Sequence, residues 1–347
     1  MTIKVNKLLV INYCMDVRHP VLSHQVQAVN ALASEFDQVL VLTGQLGVCE
    51  VLPNVTVMST NWVAKQPIRN SMRFLSIAIP IVITQRFVSV FSHMTEVQSA
   101  LIAPVIKVLG IRHYLWYAHT TRSKYLVWCY FWLTGIITST AGSCPLSGSK
   151  IHPIGQAIDT ADFALKSFRP KSLLNFIHIG RFDPSKKIED IIQAIEETRK
   201  LGEDLSLTLV GSPSNQIAQI SAEKVLKKYE YAVGEGWLKF VQAIPRSAVA
   251  SYLQDFDVFI HSYVGSLDKT IVEATMLGVP VVTVNLEYLL EFGGWSTNTK
   301  PTLIDEIQGL FSASRADISM KLQHRQELAI KNHSLKHWTS ELSRILH

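Results

Sequence analysis

Short apolar segments alternate with helical segments along the chain, and this alternation restricts the fold more than any other feature of the sequence. Five segments in the first 150 residues are typical of buried strands: KLLVIN at 7–12, VLVL at 39–42, RFVSVFS at 86–92, HYLWY at 113–117 and IITS at 136–139. Helical patterns lie between them, for example over 101–109. Strands that alternate with helices at this spacing predict a doubly wound α/β fold, with a parallel sheet covered on both faces.

The same alternation starts again in the second half of the chain. Its strand candidates are LNFIH at 174–178, LSLTLV at 205–210, WLKFV at 237–241, DVFIH at 257–261 and VPVVTV at 279–284. A chain of 347 residues suits two domains of about 150 residues each. We predict domains at 1–160 and 161–324, joined within the weakly periodic segment 154–168. Ligands of such sheets bind at the carboxyl ends of strands, so a cleft between the two domains is the expected site.

Composition excludes several classes of protein. Hydrophobic residues make up 48% of the chain and charged residues 18%, which is not the composition of a disordered protein. Four scattered cysteines without a C-x-x-C pair indicate neither a disulfide framework nor a zinc cluster, so we expect a cytoplasmic protein. Two apolar stretches, 74–84 and 125–138, are shorter than the ~20 residues that a membrane-spanning helix needs.

Positive charge is concentrated in the first half of the chain. Residues 1–150 hold 12 basic and 5 acidic side chains, a net charge of +7, whereas residues 151–347 hold 21 basic and 23 acidic ones. The first half is also rich in aromatic residues. Such a half suits an anionic bilayer surface or an acidic substrate, and the alternative is a chance excess of surface lysines and arginines. Without a nucleic-acid motif, a nucleic-acid partner is not expected.

The segment FIHIGRFDPSKK at 176–187 places basic residues directly after a predicted strand. The strand ends at Gly180 and brings Arg181 to the carboxyl edge of the sheet, and Lys186 follows five positions later at the start of the next helix. A planar guanidinium and a compact ammonium together suit a diphosphate better than a single carboxylate. The alternative is a solvated basic helix start, which the helix dipole disfavours.

A second candidate loop follows the strand at 257–261. Gly265 and Ser266 lead to a helix start at 267–270, where unpaired backbone amides can hold phosphate oxygens. Glu273 lies about one and a half turns into this helix, and its carboxylate can accept hydrogen bonds from two ribose hydroxyls. Because the neighbours of Glu273 are apolar, a buried structural role is the alternative.

Seven stretches together resemble glycosyltransferase family 4. They are FSHM at 91–94, WYAH at 116–119, IGQAID at 154–159, IGRFDPSK at 179–186, LTLVGS at 207–212, ASYLQDFDVFIHS at 250–262 and VEATMLGVPVV at 272–282. The resemblance covers nearly the whole chain. It implies the GT-B fold, in which two Rossmann-like domains face each other across a cleft, with a C-terminal helix at 325–347 that returns to the first domain.

The resemblance also implies roles for individual residues. Arg181 and Lys186 match the pair that binds the nucleotide diphosphate in the family. Glu273 matches the residue that holds the ribose, and His119 matches a histidine that faces the sugar. The catalytic residues expected on this basis are His119, Arg181 and Lys186. The expected donor-binding residues are Gly180, Gly211, Gly265, Ser266, Leu267, Asp268, Lys269, Thr270 and Glu273.

The sequence departs from the family at its E-x(7)-E motif, in which the first glutamate contacts the sugar. Gly265 stands at that position, eight residues before Glu273. Asp268, within the sequence GSLDK, is the expected replacement carboxylate, and GSLDK resembles a recurring subgroup variant of the motif. Gln242 and Lys187 also stand where the family usually has glycine.

No metal site is expected from the sequence. The run Asp255-Phe256-Asp257 resembles the D-x-D metal motif of another large glycosyltransferase fold. Here it precedes a predicted strand instead of following one, so its carboxylates are expected at the amino edge of the sheet, away from the candidate loops.

These observations predict a retaining, metal-independent glycosyltransferase of the hexosyltransferase type, with no cofactor and a nucleoside-diphosphate sugar as co-substrate. Retention is implied by the resemblance alone. The expected acceptor is a glycan or a lipid-linked glycan, in cell-surface polysaccharide or glycolipid synthesis at the inner face of the cell membrane. The aromatic segment 125–133 is then either a contact with an anionic membrane surface or a core helix.

Two other functions fit the sequence. A non-catalytic nucleotide-sugar-binding subunit is suggested by the missing glutamate at Gly265. A sugar-nucleotide epimerase of the same fold would release a free epimer without an acceptor. A dehydrogenase is disfavoured, because no G-x-G-x-x-G follows the first strand.

Overall fold

The computed structural model describes residues 5–19, 22–160 and 173–347. The chain forms two compact units, the first made of 1–157 together with 333–347 and the second of 158–332. Each unit contains one parallel β-sheet with helices on its faces. The predicted α/β organisation is therefore confirmed in both units. Of the predicted connection at 154–168, residues 161–168 lie outside the described part of the chain.

Each sheet is built from short, mostly apolar strands. The strands of the first unit are β1 Lys7–Met15, β2 Gln38–Leu46, β3 Val55–Ser59, β4 Ser89–His93, β5 Arg112–Trp116, β6 Gly135–Thr138 and β7 Ile151–Pro153. Those of the second are β8 Asn175–Ile179, β9 Ser206–Val210, β10 Leu238–Val241, β11 Val258–His261 and β12 Val281–Thr283. The strand orders are β3-β2-β1-β4-β5-β6-β7 and β10-β9-β8-β11-β12, and neighbouring strands are parallel throughout.

Helices connect most pairs of successive strands and cover the sheets. The first unit holds α1 His24–Ala33, α2 Pro67–Thr84, α3 Glu96–Val108, α4 Lys124–Trp132 and the last helix of the chain, α13 Leu335–Leu346. The second holds α5 Ile188–Lys200, α6 Gln216–Lys228, α7 Glu230–Gly234, α8 Arg246–Leu253, α9 Lys269–Met276, α10 Leu286–Phe292, α11 Leu303–Ser312 and α12 Arg315–His333. Short 3-10 turns lie at Ala141–Ser143 and Pro184–Lys186.

The two faces of the first sheet carry different sets of helices. On one face, α1 and α13 pack against side chains such as Val10 and Phe91. On the other face, α2 and α3 cover Leu9 and Val90, and α4 covers Leu115. Because both faces are covered, the strands are apolar on both sides, which is why they stand out in the sequence as continuous apolar runs.

In the second unit, the strand order reverses at β8, with β9 and β10 on one side of it and β11 and β12 on the other. The helix that follows β8 packs on one face of the sheet through Ile191, and the helix that follows β11 packs on the opposite face through Ile271. The chain therefore leaves β8 and β11 toward opposite faces of the sheet, at the point where the strand order reverses. This is where parallel sheets of this kind bind ligands.

The return of the chain to the first unit differs from the predicted one. Arg325 is buried, and its Nε donates to the carbonyl oxygen of Phe292 at 3.0 Å. Ala329 packs in the core of the second unit as well. Residues 325–332 therefore stay with the second unit, and it is α13, with its fully buried Trp338, that completes the core of the first.

Two strands were not predicted from the sequence. β3 and β7 form the edges of the first sheet, and none of their residues is fully buried. Edge strands of this kind lack the apolar pattern that marks the central strands. Of the two apolar stretches tested as membrane spans, 74–84 lies in α2 and 125–138 runs through α4 and β6. Across the described residues, no helix combines the length and apolarity that a bilayer crossing requires.

Candidate functional site

The carboxyl edge of the second sheet gathers all of the predicted donor-binding residues. Gly180 follows β8, Gly211 follows β9, and the segment from Gly265 to Glu273 follows β11. The peptide N–H of Gly180 donates to the carbonyl oxygen of Val210 at 3.0 Å. A Cβ atom on Gly211 would overlap the carbonyl oxygen of Gly180, so these two chain segments can approach this closely only because residue 211 is glycine.

Lys186 ends the 3-10 turn after β8, and its side chain is buried. Its Nζ donates to Oδ2 of Asp268 and lies 4.0 Å from the ring centroid of Tyr263. The hydroxyl of Ser262 donates to the carbonyl oxygens of Lys186 and Lys187, at 2.6 and 2.9 Å. The loops after β8 and β11 are therefore bonded to each other through both backbone and side chain.

Asp268 is the N-cap residue of α9, and both of its carboxylate oxygens have partners. Oδ1 accepts from the peptide N–H of Lys269 at 3.0 Å, and Oδ2 accepts from Lys186 and lies 3.3 Å from Nε2 of His261. Burial favours the neutral acid. However, the hydrogen bond with His261 and the charge of Lys186 hold the pKa of Asp268 well below its usual range, so this carboxylate is ionised.

Two buried histidines lie beneath this pair. Burial lowers the pKa of His261 despite the neighbouring Asp268, and burial lowers the pKa of His178 to about 3, with a smaller contribution from His261. Both imidazoles are therefore neutral near pH 7. Nδ1 of His178 donates to the carbonyl oxygen of Ile260 at 3.0 Å, and its Nε2 has no partner among the described residues.

Glu273 lies inside α9 with only 1% of its side chain exposed. One carboxylate oxygen accepts from the guanidinium of Arg246, at the start of α8, and the other, Oε2, has no partner among residues 5–19, 22–160 and 173–347. A buried acceptor without a donor is costly, and such an atom is expected to bind a donor from a ligand or water. Burial of Glu273 was one of the two sequence interpretations, but its pairing with Arg246 was not predicted.

The start of α9 is held by side chains from other loops. Nδ2 of Asn285 donates to the carbonyl oxygens of Tyr263, Gly265 and Ser266 at 2.9, 3.1 and 3.2 Å. Burial, followed by the charge of Arg246, lowers the pKa of Lys269 to about 8. The remaining predicted residues of this segment also lie here: Leu267 and Ser266 are buried, and Oγ1 of Thr270 has no partner within the described part of the chain.

Arg181 differs from Lys186 in its surroundings. Its side chain is 58% exposed, and NH1 lies 3.3 Å from Oδ2 of Asp183. The carboxylate of Asp183 is mostly buried, with 12% of its side chain exposed, whereas the guanidinium is largely in solvent. A solvated cation gains little free energy from such a pair, so Arg181 can leave Asp183 for another anion at low cost. The two cations predicted to bind a diphosphate thus both face a carboxylate in the structure, Arg181 at the surface and Lys186 in the interior.

The other predicted catalytic residue, His119, belongs to the first unit. It is exposed, follows β5, and its ring centroid lies 5.7 Å from that of Tyr117. Its predicted role at the sugar stays a prediction.

Four further residues complete the site but were not predicted from the sequence. They are His178, His261, Tyr263 and Arg246. A signal for the histidines was present, because the neighbouring strands β8 and β11 both contain Phe-Ile-His, at 176–178 and 259–261.

The D-x-D run lies at the opposite edge of the sheet, as predicted. Oδ2 of Asp257 accepts from the peptide N–H groups of Leu174 and Asn175, at 3.1 and 3.0 Å, where β8 begins. Asp257 therefore connects the amino ends of β8 and β11. Among the described residues, no group of three or more His, Cys, Asp or Glu side chains is placed to hold a metal ion.

Comparison with known proteins relates the second unit to glycosyl transfer. A family model described as glycosyl transferases group 1 matches residues 162–292, well under half of the chain. No curated protein sequence matches the chain. Among solved structures, HepE of Anabaena, in complex with UDP and glucose, has a TM-score of 0.72 at 13% identity, over 99% of both chains.

Two further solved structures are similar over almost the whole chain. Sucrose-phosphate synthase of Thermosynechococcus elongatus has a TM-score of 0.76 at 14% identity, and a glycosyltransferase of Rickettsia africae has a TM-score of 0.74 at 13% identity, each over 98% of both chains. At these identities the likeness establishes the fold. The chain has the α/β architecture of GT-B glycosyltransferases, with two Rossmann-like sheets, and the predicted fold class is confirmed.

Proposed function

We propose that the protein is a metal-independent, retaining glycosyltransferase that binds a nucleoside-diphosphate sugar at the carboxyl edge of the second sheet. The observation that supports this most directly is the contact between Lys186 and Asp268, because it brings a buried ammonium to the capping residue of α9. The positive charge of an ammonium group and the unpaired peptide N–H groups of a helix N-terminus, when they lie close together, form a binding site for an anion. The family match over 162–292 covers this part of the chain.

In this proposal the diphosphate lies between the loops after β8 and β11. Arg181 exchanges Asp183 for a phosphate oxygen, and Lys186 shares its charge between Asp268 and the phosphate. The ribose hydroxyls donate to the free Oε2 of Glu273, while Arg246 holds its other oxygen in place. Each of these groups has an observed reason to accept a ligand: an exposed guanidinium, a buried ammonium or an unpaired acceptor.

Transfer breaks the bond between the anomeric carbon and the diphosphate oxygen, and the bonding electron pair goes to that oxygen. The charge that develops there is stabilised by Arg181, Lys186 and the amides at the start of α9. Stabilisation of the charge that develops in the transition state is usually the largest single contribution to the rate. The acceptor hydroxyl oxygen bonds to the same carbon, and its proton passes to the departing diphosphate. Retention of configuration follows from the resemblance to family 4, and a role of His119 at the sugar is part of the same proposal.

The proposed acceptor is a glycan or a lipid-linked glycan, as in the synthesis of cell-surface polysaccharide or glycolipid. The excess of positive charge in residues 1–150 supports an acidic or membrane-borne acceptor. A cytoplasmic enzyme at the inner face of the membrane fits this proposal.

The test combines ligand binding with turnover. We expect UDP-sugars in a panel of nucleotide sugars to raise the melting temperature, because a ligand that binds only the folded state stabilises it. Arg181→Ala is expected to lower donor turnover about 100-fold, the effect of losing about 3 kcal/mol of charge stabilisation. Lys187→Ala, which removes an exposed neighbouring cation, is the matched control. Near-wild-type turnover of Arg181→Ala would rule out the assignment.

A non-catalytic nucleotide-sugar binder is the second candidate. It is favoured by Gly265, which lacks the carboxylate of the family motif. A binder shows affinity for UDP-sugars without transfer or hydrolysis. Incubating the protein with labelled UDP-sugar and a mixture of glycan and glycolipid acceptors separates the two functions.

A further inference from the structure

Three helices of the first unit form a layer whose outer surface carries several exposed apolar side chains. α2 packs against α3, and α3 packs against α4, on one face of the first sheet. We call the outward surface of α2, α3 and α4 the α2–α4 face. Its exposed apolar side chains are Ile68, Met72, Ile83, Val108, Leu109, Tyr125, Trp128 and Phe131.

This exposure departs from the usual pattern of a surface helix, in which the outward side is mainly polar. Ile68 is 76% exposed and Phe131 is 71% exposed. The helices on the opposite face of the same sheet follow the usual pattern, because α1 and α13, both described over their full lengths, expose no large hydrophobic side chain. In α4, only Leu126 and Cys129 are fully buried, so most of this aromatic helix is not in the core.

The charged residues of the segment that contains α2, α3 and α4 are almost all positive. Residues 51–150 contain nine lysines and arginines and a single acid, Glu96. The exposed cations are Lys65, Arg69, Arg73, Arg86, Lys107, Arg122 and Lys124. The one carboxylate is half-buried at the start of α3, where it accepts from the hydroxyl of Ser123 at 2.8 Å. A single half-buried carboxylate does not balance this set of exposed cations.

We propose that the α2–α4 face binds the surface of an anionic phospholipid bilayer, with the three helices lying along it. Tryptophan and tyrosine are the side chains that favour the boundary between headgroups and acyl chains, and Trp128 and Tyr125 provide them. Exposed aliphatic side chains such as Ile68 and Met72 enter the outer edge of the apolar layer. Arginines and lysines among them, including Arg69 and Arg73, pair with lipid phosphates.

Charge argues against a second copy of the chain as the partner. In a two-fold contact the same surface meets itself, so each exposed cation would face the same set of cations. Such like-charge contacts are unfavourable, whereas an anionic bilayer neutralises them. The proposal does not depend on the proposed glycosyl transfer, because lipid binding is measured without donor or acceptor.

The test is flotation of the full chain with vesicles of phosphatidylcholine, with and without about 30 mol % phosphatidylglycerol. We expect flotation with the anionic vesicles only, and loss of binding as salt rises, since the Debye length falls to about 8 Å at physiological ionic strength. The combined variant Arg69→Gln, Arg73→Gln, Lys124→Gln is expected to lose about five-fold in affinity for each charge removed. The variant Ile68→Ser, Met72→Ser, Phe131→Ser is expected to lose at least about ten-fold.

The second unit provides a matched control. Ile217, which is 76% exposed, Leu226 and Lys224 are exposed residues of α6. The variant Ile217→Ser, Leu226→Ser, Lys224→Gln should bind anionic vesicles as the unmodified protein does, and all variants should keep its melting temperature. Absence of flotation with anionic vesicles would overturn the proposal, as would equal loss in the control. A dimer in solution that the Ile68→Ser, Met72→Ser, Phe131→Ser variant abolishes, without vesicle binding, would assign the face to self-association instead.

Discussion

The aromatic ring of Tyr263 lies over the ammonium group of Lys186, with 4.0 Å between Nζ and the ring centroid. The phenol hydroxyl of the same side chain lies beside Gly265, so close that a Cβ atom at residue 265 would overlap it. The ring therefore occupies the space that a side chain at position 265 would need. The absence of a side chain at Gly265, where the sequence departs from the family motif, thus gives the ring of Tyr263 room to cover one side of Lys186.

This pairing predicts non-additive effects of substitution. Gly265→Ala is expected to push the phenol off Lys186 and to lower the unfolding free energy by about 1 kcal/mol, because a cation–π interaction is broken and the displaced atoms belong to a mobile side-chain end. In a Tyr263→Ala background, Gly265→Ala should cost almost nothing, because no ring is left to displace. Urea denaturation of the wild type, both single variants and the double variant measures this coupling.

The control for this cycle is Gly234→Ala, since a Cβ there meets no atom within 4 Å. Its cost should be the same with and without Tyr263. Equal costs of Gly265→Ala in both backgrounds would show that the two residues are not coupled.

Competition between Asp268 and a diphosphate for Lys186 leads to a second prediction. Asp268→Asn removes the carboxylate but keeps the helix cap, because asparagine caps helices as well as aspartate does. The phosphate then no longer shares the ammonium with a carboxylate, and we expect UDP affinity to rise about ten-fold, which corresponds to about 1.4 kcal/mol. Isothermal titration calorimetry with UDP measures the change.

Asp183→Asn gives the comparison at the surface. It removes the negative charge that faces the exposed guanidinium of Arg181, and because ion pairs of a solvated cation are weak, we expect UDP affinity to change by no more than about two-fold. Weaker UDP binding by Asp268→Asn would mean that Asp268 holds Lys186 in a binding position, and the competition would be refuted.

The lowered pKa of Lys269 leads to the prediction that donor binding weakens at alkaline pH. Burial and the nearby Arg246 lower its pKa to about 8, so the ammonium at the start of α9 loses its proton as pH rises through that value. A phosphate held there then loses an ionic partner, and UDP affinity should fall about ten-fold between about pH 7 and 9. Arginine stays charged across this range, so Lys269→Arg should show a flat profile. A wild-type profile that is equally flat would exclude a contact between Lys269 and the phosphate.

The lowered pKa of His178 leads to the prediction that the free energy of unfolding decreases at acidic pH. Burial lowers its pKa to about 3 from the ordinary 6.5, so between these values the unfolded chain binds a proton that the folded chain does not. Stability is therefore unaffected above about pH 6.5 and falls as pH decreases toward 3. At about pH 5 the loss from this one residue should reach about 2 kcal/mol relative to neutral pH.

The corresponding variant is His178→Asn, because an asparagine amide can still donate to Ile260. Urea midpoints at about pH 7.5 and 5 should differ less in this variant than in the wild type. Some acid sensitivity should remain, since burial also lowers the pKa of His113, in the first unit, to about 3. His324→Asn, on the exposed side of α12, should leave the difference unchanged. The same pH dependence in His178→Asn and wild type would disprove the assignment.

Much of the fold was predictable because the central strands of a parallel sheet are apolar on both sides. β8, β9 and β11 stand out for this reason, and with them the loops that carry Lys186 and Asp268. The edge strands β3 and β7 and the outward sides of helices lack such a signal. The apolar stretch at 74–84 gave no indication of which of its residues would face outward, because that depends on how α2 packs against α3.

The contacts between the site residues could not be predicted from the sequence for a related reason. Arg246 and Glu273 are 27 residues apart in the sequence, and Lys186 and Asp268 are 82 residues apart, yet the members of each pair are in contact. Spacing along one helix or loop says nothing about such pairs, which arise only when separate loops meet at one sheet edge. The sequence therefore predicted which residues line the edge, and the structure adds that each predicted phosphate cation already faces a carboxylate.

The position of α13 determines the order in which the molecule can be completed during synthesis. Trp338 and Leu342 belong to the hydrophobic core that packs on the sheet formed by β1 to β7. The ribosome adds them after every residue of the second unit. The part of the protein that is translated first is therefore finished last. A fragment that stops at residue 157 lacks part of its own interior, so separating the two halves experimentally requires moving residues 333–347 along with the N-terminal piece.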